Sequence, residues 1–158
     1  MNPNGSLAHI PIADCMSIFL ITLSPYDTIA KAFELMSTNH IRRLPVLEND
    51  ALIGIVTWSD ILKMSQPDPA GRKDSSATFD DLARLTITTV MTRNPLTVQP
   101  QQPVGFAAEL MLDNKIGGLP VLDADQTLVG LLTESNIFRL IAKRWRDDNE
   151  VFSGARRG

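Results

Sequence analysis

Gly54-Ile55-Val56-Thr57-Trp58-Ser59-Asp60 returns as Gly130-Leu131-Leu132-Thr133-Glu134-Ser135-Asn136, 76 residues on (Gly54 to Gly130). Just upstream, Leu44-Pro45-Val46-Leu47 returns as Leu119-Pro120-Val121-Leu122, at an offset of 75 residues (Pro45 to Pro120). Further out, the same offset carries Pro25 to Pro100 and Asp14-Cys15-Met16-Ser17 to Thr89-Val90-Met91-Thr92. The extra residue falls in the turn between the first two blocks. Two copies are too few for an open solenoid, which needs about three or more units to bury a core. Two such halves are expected to close on each other with pseudo-two-fold symmetry, with clefts where they meet.

The bulk composition agrees. The chain has 158 residues, 44% hydrophobic and 21% charged, as expected of a globular chain with one compact core or two small ones. A formal charge of −3 argues against holding nucleic acid by charge alone. The longest apolar run, Ile18-Phe19-Leu20-Ile21, is far short of the roughly 20 residues a membrane helix needs. No basic start leads into an apolar stretch, and the single Cys15 forbids an internal disulfide. These features together favour the cytoplasm as the expected compartment.

Residues 1–14 read as a lead-in rich in Pro, Gly and Asn. The first repeat is placed at 15–64, a linker at 65–85, the second repeat at 86–141, and a basic tail at 142–158 carrying Lys143, Arg144, Arg146, Arg156 and Arg157. Pro and Gly within 65–77 forbid a continuous helix there, and a short amphipathic piece around Phe79–Leu85 leads into the second repeat.

Each repeat reads strand, helix, strand, strand, helix. Phe19–Leu23 is the first short strand. Asp27 is placed as a helix cap after Pro25. Ile29, Phe33 and Met36, at i, i+4 and i+7, form one apolar stripe, repeated by Val104, Ala108 and Met111. Pro103 suits a helix start. Asn39 and Asn114 stand where each helix ends, as residues tolerant of the left-handed cap. Leu44–Leu47 and Leu52–Thr57, and again Leu119–Leu122 and Leu128–Thr133, read as strand pairs, with final helices from Trp58 and Glu134. Pro45 and Pro120 mark sheet edges beside the expected cleft. The fold class is α+β (α/β): two tandem repeats, each a small sheet covered by two helices.

The order and spacing of these blocks resemble those of the CBS domain, named after cystathionine β-synthase, and the pair resembles a Bateman module. The resemblance rests on Val90-Met91-Thr92, Thr97-Val98-Gln99-Pro100, the two Leu-Pro-Val strands and Gly-x-x-Thr-x-Ser-(Asp/Asn) twice. It implies a stand-alone regulatory module without catalytic chemistry. Its clefts would take AMP, ADP, ATP or S-adenosylmethionine as a regulatory ligand. It also implies a homodimer, as a disc of four repeats, and a protein target.

Thr57 and Asp60 carry the strongest binding expectation. Asp60 falls in the first turn of a helix whose free N–H groups suit a phosphate. The Thr57 hydroxyl can donate to a phosphate, and the Asp60 carboxylate can accept from both ribose hydroxyls. The resemblance implies these roles. The same Thr-x-x-Asp is also a capping box, which stabilises a helix start by about 0.5–2 kcal/mol with no ligand. Both readings stay open. Thr133 and Asn136 repeat the pair without the charge, so ribose would be held less tightly there, and the cap reading stands equally.

His40-Ile41-Arg42-Arg43 aligns with Lys115-Ile116-Gly117-Gly118. In an extended stretch Arg42 and Arg43 point to opposite faces, so at most one lines a given cleft. Arg42, Arg43 and Lys115 are either phosphate partners, as the resemblance implies, or solvated charges. Gly117 lets a ligand approach the backbone beside Ile116. The resemblance adds Ile21, Thr22, Leu96 and Thr97 as neighbours of an adenine ring, though residues of these types also simply form strands and turns. Asp80-Asp81 and Asp147-Asp148 read as solvated or helix-start charges, and Lys143-Arg144-Trp145-Arg146 as complementing the end of the last helix. No nucleophile–base pair, metal-ligand spacing or phosphate-cradling glycine loop is present, which argues against an enzyme. The leading expectation is a nucleotide-binding regulatory module. The alternative is an interaction or dimerisation module with empty sites.

Overall fold

The computed structural model of the chain describes residues 6–64 and 78–154, the last five of them and Phe79 and Leu82 by backbone alone. The fold is α+β. The chain forms two compact units, one of Ile21–Pro95 and one of Met1–Leu20 together with Leu96–Gly158.

In the Ile21–Pro95 unit, helix α1 (Ile29–Asn39) leads to strands β1 (Arg43–Glu48) and β2 (Ala51–Thr57), then to helix α2 (Trp58–Met64). Helix α3 (Phe79–Ala83) and the short strand β3 (Thr92–Arg93) follow, and the sheet order is β1-β2-β3, all antiparallel. Asn49 and Asp50 sit at φ 50° and 63°, the left-handed pair that closes a two-residue hairpin with the twist of its strands. The core is Leu23, Ile29, Ala32, Met36, Leu44, Val46, Val56, Ile61, Ile87 and Met91.

The other unit repeats the plan with α4 (Val104–Asn114), β4 (Gly118–Leu122), β5 (Leu128–Thr133) and α5 (Glu134–Gly154), β4 pairing antiparallel with β5. Ile12, Val98, Val104, Ala107, Met111, Leu119, Val121 and Leu132 fill its core.

Each opening segment therefore completes the sheet built by the other sequence repeat. Residues 86–93, at the head of the second repeat, pack in the first unit: Thr86 bridges Thr28, Ile87 N–H donates to Asp27 O at 2.8 Å, and Thr92 pairs with Ile55. Residues 6–17 pack in the second: Ile12 N–H donates to Gln102 O at 2.9 Å and Ser17 bridges Leu131. The segment read as a lead-in thus supplies Ile12, 0% exposed, to a core. The glycines explain the fit. A Cβ on Gly54 would lie 2.8 Å from Met91 Sδ, and one on Gly130 would collide with Met16 Sδ, so the repeated Met needs the repeated Gly.

Several local expectations shift. Phe19–Leu23 is not a strand. Leu23 alone bridges Val46, and Phe19 is 94% exposed. The β1 edge offers Pro45 O and Leu47 N to Leu23 (2.9 and 2.8 Å), and Pro45, having no N–H, adds no further rung. Thr28, not Asp27, caps α1, accepting from Lys31 N at 3.2 Å, while Asp27 accepts from Ser24 N at 2.8 Å and from Lys31 Nζ at 2.7 Å. The left-handed caps are His40 (φ 54°) and Lys115 (φ 53°), one residue beyond Asn39 and Asn114. The two Asn remain helical and turn their amides back onto Leu35 O and Leu110 O. The buried stripes run Ile29, Ala32, Met36 and Val104, Ala107, Met111; Phe33 lies outside its stripe and stacks on Trp58, ring centroids 5.0 Å apart.

Pro103 is the α4 cap residue itself, just before its first turn. Helix α5 passes unbroken through position 142, the expected start of the tail, so Lys143-Arg144-Trp145-Arg146 lie mid-helix rather than at an end. Residues 65–77 of the linker, and Arg156 and Arg157, lie outside the described residues.

Candidate functional site

The sheet register gathers one set of candidate residues at one end of each unit. In the first, Arg43 pairs with Thr57 at the end of β1–β2 opposite the hairpin. Trp58 N–H donates to Arg42 O at 2.8 Å, which ties the start of α2 to the chain entering β1. Leu23 N–H donates to the buried Pro45 O, so the half-buried Ile21 and Thr22, which precede Leu23, run toward that end. The carbonyl and nitrogen of a strand residue face the same way, so Pro45 turns its missing donor toward the Leu23 side and costs the β1–β2 ladder nothing. Arg42 is exposed and Arg43 half-buried, as opposite facings require.

At the start of α2 the capping box is closed. Thr57 N–H and the Thr57 hydroxyl both donate to Asp60 Oδ2, at 2.9 and 2.7 Å, and Asp60 N–H donates to Thr57 Oγ1 at 3.3 Å. The hydroxyl expected to serve a phosphate therefore spends its proton on Asp60. Asp60 Oδ1 stands outside the box, 4.0 Å from Lys63 Nζ, and the side chain is 20% exposed.

The second unit builds the same box with an amide. Thr133 N–H and the Thr133 hydroxyl donate to Asn136 Oδ1, at 2.9 and 2.7 Å, and Asn136 N–H donates to Thr133 Oγ1 at 3.4 Å. Asn136 is 6% exposed, and its Nδ2 donates to Ser17 Oγ at 3.2 Å. Gly118 pairs with Thr133, where the first unit has Arg43 beside Thr57. Gly117 O accepts from Glu134 N at 3.2 Å, and Ile116 packs against the core. Lys115 is an exposed helix cap; Leu96 and Thr97 are exposed ahead of Val98, which bridges Val121.

The family model of the CBS domain matches residues 12–66 and 87–143. The chain belongs to the CBS domain family. Both repeats are matched, so it carries a CBS pair. A CBS domain-containing protein of Dictyostelium discoideum is 34% identical over 84% of this chain and 91% of its own length. The homoserine O-acetyltransferase of Methanohalobium evestigatum is 32% identical over 87% of this chain, which spans only 25% of that enzyme.

Two solved structures are similar throughout. The CBS domain pair of protein MJ0100, in complex with 5′-methylthioadenosine and S-adenosyl-L-methionine, superimposes with a TM-score of 0.71 at 28% identity, over 85% of this chain and 98% of that one. CBSX2 of Arabidopsis thaliana in complex with AMP gives 0.69 at 27% identity, over 84% and 96%.

Two residues beside the candidate positions lie outside the sequence expectation. Lys63 faces Asp60 from one helical turn on, a spacing visible in the sequence. Ser17 reaches Asn136 across 119 residues of chain, and no local pattern signals that. The lone Cys15 is held above the usual thiol range by burial and then by the charge of Asp14, which keeps it a poor nucleophile. No described helix is long and apolar enough to cross a membrane.

Proposed function

We propose that this CBS pair is a regulatory module, without catalysis of its own, that binds an adenine nucleotide or related adenosyl ligand at the Thr57–Asp60 end of the first sheet. The observation that carries this is Asp60 Oδ1. The cap uses the other carboxylate oxygen twice, so Oδ1 keeps lone pairs for a ribose diol in a charge-assisted bond. Arg43 supports it. Directly paired antiparallel residues project to the same face with Cβ atoms about 4.5–5.5 Å apart, so Arg43 rises beside Thr57 as the phosphate partner. Half-buried Ile21 and Thr22 flank the base, while Pro45, fully buried with its carbonyl taken by Leu23 N–H, does not reach it. The adenosyl ligands in the MJ0100 and CBSX2 structures support the ligand class.

The response is a change in conformation or self-association in the cytoplasm, passed to a target protein. Binding signals only if the ligand favours one state over the other. Phe138, Ile141 and Trp145 are exposed on α5, a spacing that aligns them along one face, and they favour pairing with a second copy.

Titration calorimetry of the intact chain with AMP, ADP, ATP and S-adenosylmethionine tests this. Asp60→Asn keeps the cap, as Asn136 does in the other unit, and removes the charge. It is expected to weaken binding by about 1.5–3 kcal/mol, the scale of a hydrogen bond to a charged group. Unchanged affinity in a folded variant would remove Asp60 from the site.

A further inference from the structure

We infer that Ser17 is a specificity-determining residue that closes the Thr133–Asn136 end of the second unit, so the chain takes one nucleotide, at Asp60, and none at the duplicated position. The inference rests on the proposal that Asp60 holds the ribose. Both ends carry the same box, so the cap does not distinguish them. They differ in what remains of the residue after the cap is made.

Asn136 Oδ1 already accepts two hydrogen bonds, which fills its two lone pairs. Its amide nitrogen can only donate, and one of its two protons goes to Ser17 Oγ. One amide proton remains, but no acceptor is left to take a proton from a sugar diol, which is the bond Asp60 Oδ1 would make. Ser17 is itself fixed by a double backbone bond to Leu131, Ser17 N–H to Leu131 O and Leu131 N–H to Ser17 O, both 2.9 Å. The bridge holds its Cα beside Asn136, so the hydroxyl can leave the amide only by turning about χ1.

The counterpart of Ser17 at the 75-residue offset (Met16 to Met91) is Thr92, which pairs with Ile55 but lies exposed. Asp60 is met by Thr57 and Lys63 instead. Gly118 in place of Arg43 removes the basic side chain from the closed end as well.

Calorimetry with AMP on the intact chain counts the sites. The parent should bind one AMP per chain, and Asp60→Asn should leave no second, tighter site behind. Asn136→Asp alone should stay at one, because the Ser17 hydroxyl can donate to the new carboxylate. Ser17→Ala/Asn136→Asp should gain a second site, weaker than the first for want of Arg43. Two AMP per parent chain, or no second site in the folded double variant, would overturn the inference.

If the parent binds no AMP, the nucleotide proposal fails, and the closure is judged by melting. Ser17→Ala should lower the melting temperature of the parent but not of Asn136→Ala. An equal drop in both backgrounds means the two residues act independently, and Ser17 closes nothing.

Discussion

Met91 lies over Gly54 so closely that a Cβ on the glycine would fall 2.8 Å from the sulfur and 3.0 Å from the Thr92 carbonyl oxygen. The methionine opens the second sequence repeat and the glycine belongs to the first, yet they sit in one unit. The thioether is flexible and can retreat; the backbone oxygen in β3 cannot do so without disturbing the ladder to β2. Gly54→Ala should therefore cost about 1–3 kcal/mol, the usual penalty of overpacking. Met91→Ala costs core packing of its own, so the relief is read as coupling: Gly54→Ala should cost less in the Met91→Ala background than in the parent, but still something. Denaturant melts of the two single variants and the double variant check this; a Gly54→Ala cost that vanishes in the Met91→Ala background would show that the Thr92 oxygen does not matter.

Ile12 provides a second test of the exchanged segments. It is fully buried among Val98, Val104, Met111 and Leu119, although it lies ahead of the first repeat as read from sequence. Ile12→Ala should destabilise the protein by about 2–5 kcal/mol, as a large-to-small change in a packed core does. An exposed lead-in would lose less than about 0.5 kcal/mol, the limit for surface substitutions. A urea titration separates the two outcomes.

The repeats, strand pairs and helices were legible because their signals are local. Gly-x-x-Thr sets a strand end and helix start, Asn49-Asp50 sets a hairpin, and apolar spacing sets the buried stripes to within one position. The partner of each opening segment was not legible. Met16 and Met91 sit in equivalent patterns, and Gly54 and Gly130 offer equivalent seats, so local sequence does not say which methionine meets which glycine. The same holds at the sites. Asp60 and Asn136 are chemically close, but the amide of Asn136 meets Ser17, 119 residues away in the chain. The caps moved from Asn39 and Asn114 to His40 and Lys115 because each Asn amide found a carbonyl one turn back, at Leu35 and Leu110.

Asp27 should give stability a dependence on acid. Burial works to raise its pKa, but the bond from Lys31 Nζ, the Ser24 amide and the Lys31 charge outweigh it and hold the carboxyl below its ordinary value of 3.8. A depressed carboxylate binds fewer protons folded than unfolded. Its contribution is therefore complete above 3.8 and is lost as pH falls through the lower folded value. Asp27→Asn should cost about 0.2–1 kcal/mol at neutral pH, the range for an exposed ion pair such as this one with Lys31. The gap from the parent should narrow below pH 3.8. Paired thermal melts across that range show it; a gap that widens toward acid would contradict the sign.

Asp60 separates cap from ligand site most cleanly, because the protein already contains the control. Asn136 shows that an amide oxygen closes the same box at the same distances, 2.9 and 2.7 Å. Asp60→Asn should thus leave the ligand-free melting curve within about 0.5 kcal/mol of the parent, as for a change that keeps its hydrogen bonds. Asp60→Ala removes the acceptor for Thr57 and should cost about 0.5–2 kcal/mol, the loss of a cap. With AMP at about 100 times its dissociation constant the parent should gain roughly 2.7 kcal/mol. If Asp60 serves only the helix, Asn should respond to AMP like the parent. If it grips the ribose, Asn and Ala should both lose most of the gain, although only Ala melts early without ligand. Melting scans of the three proteins with and without AMP decide between these outcomes, because an unstable helix and a lost ligand bond change different curves.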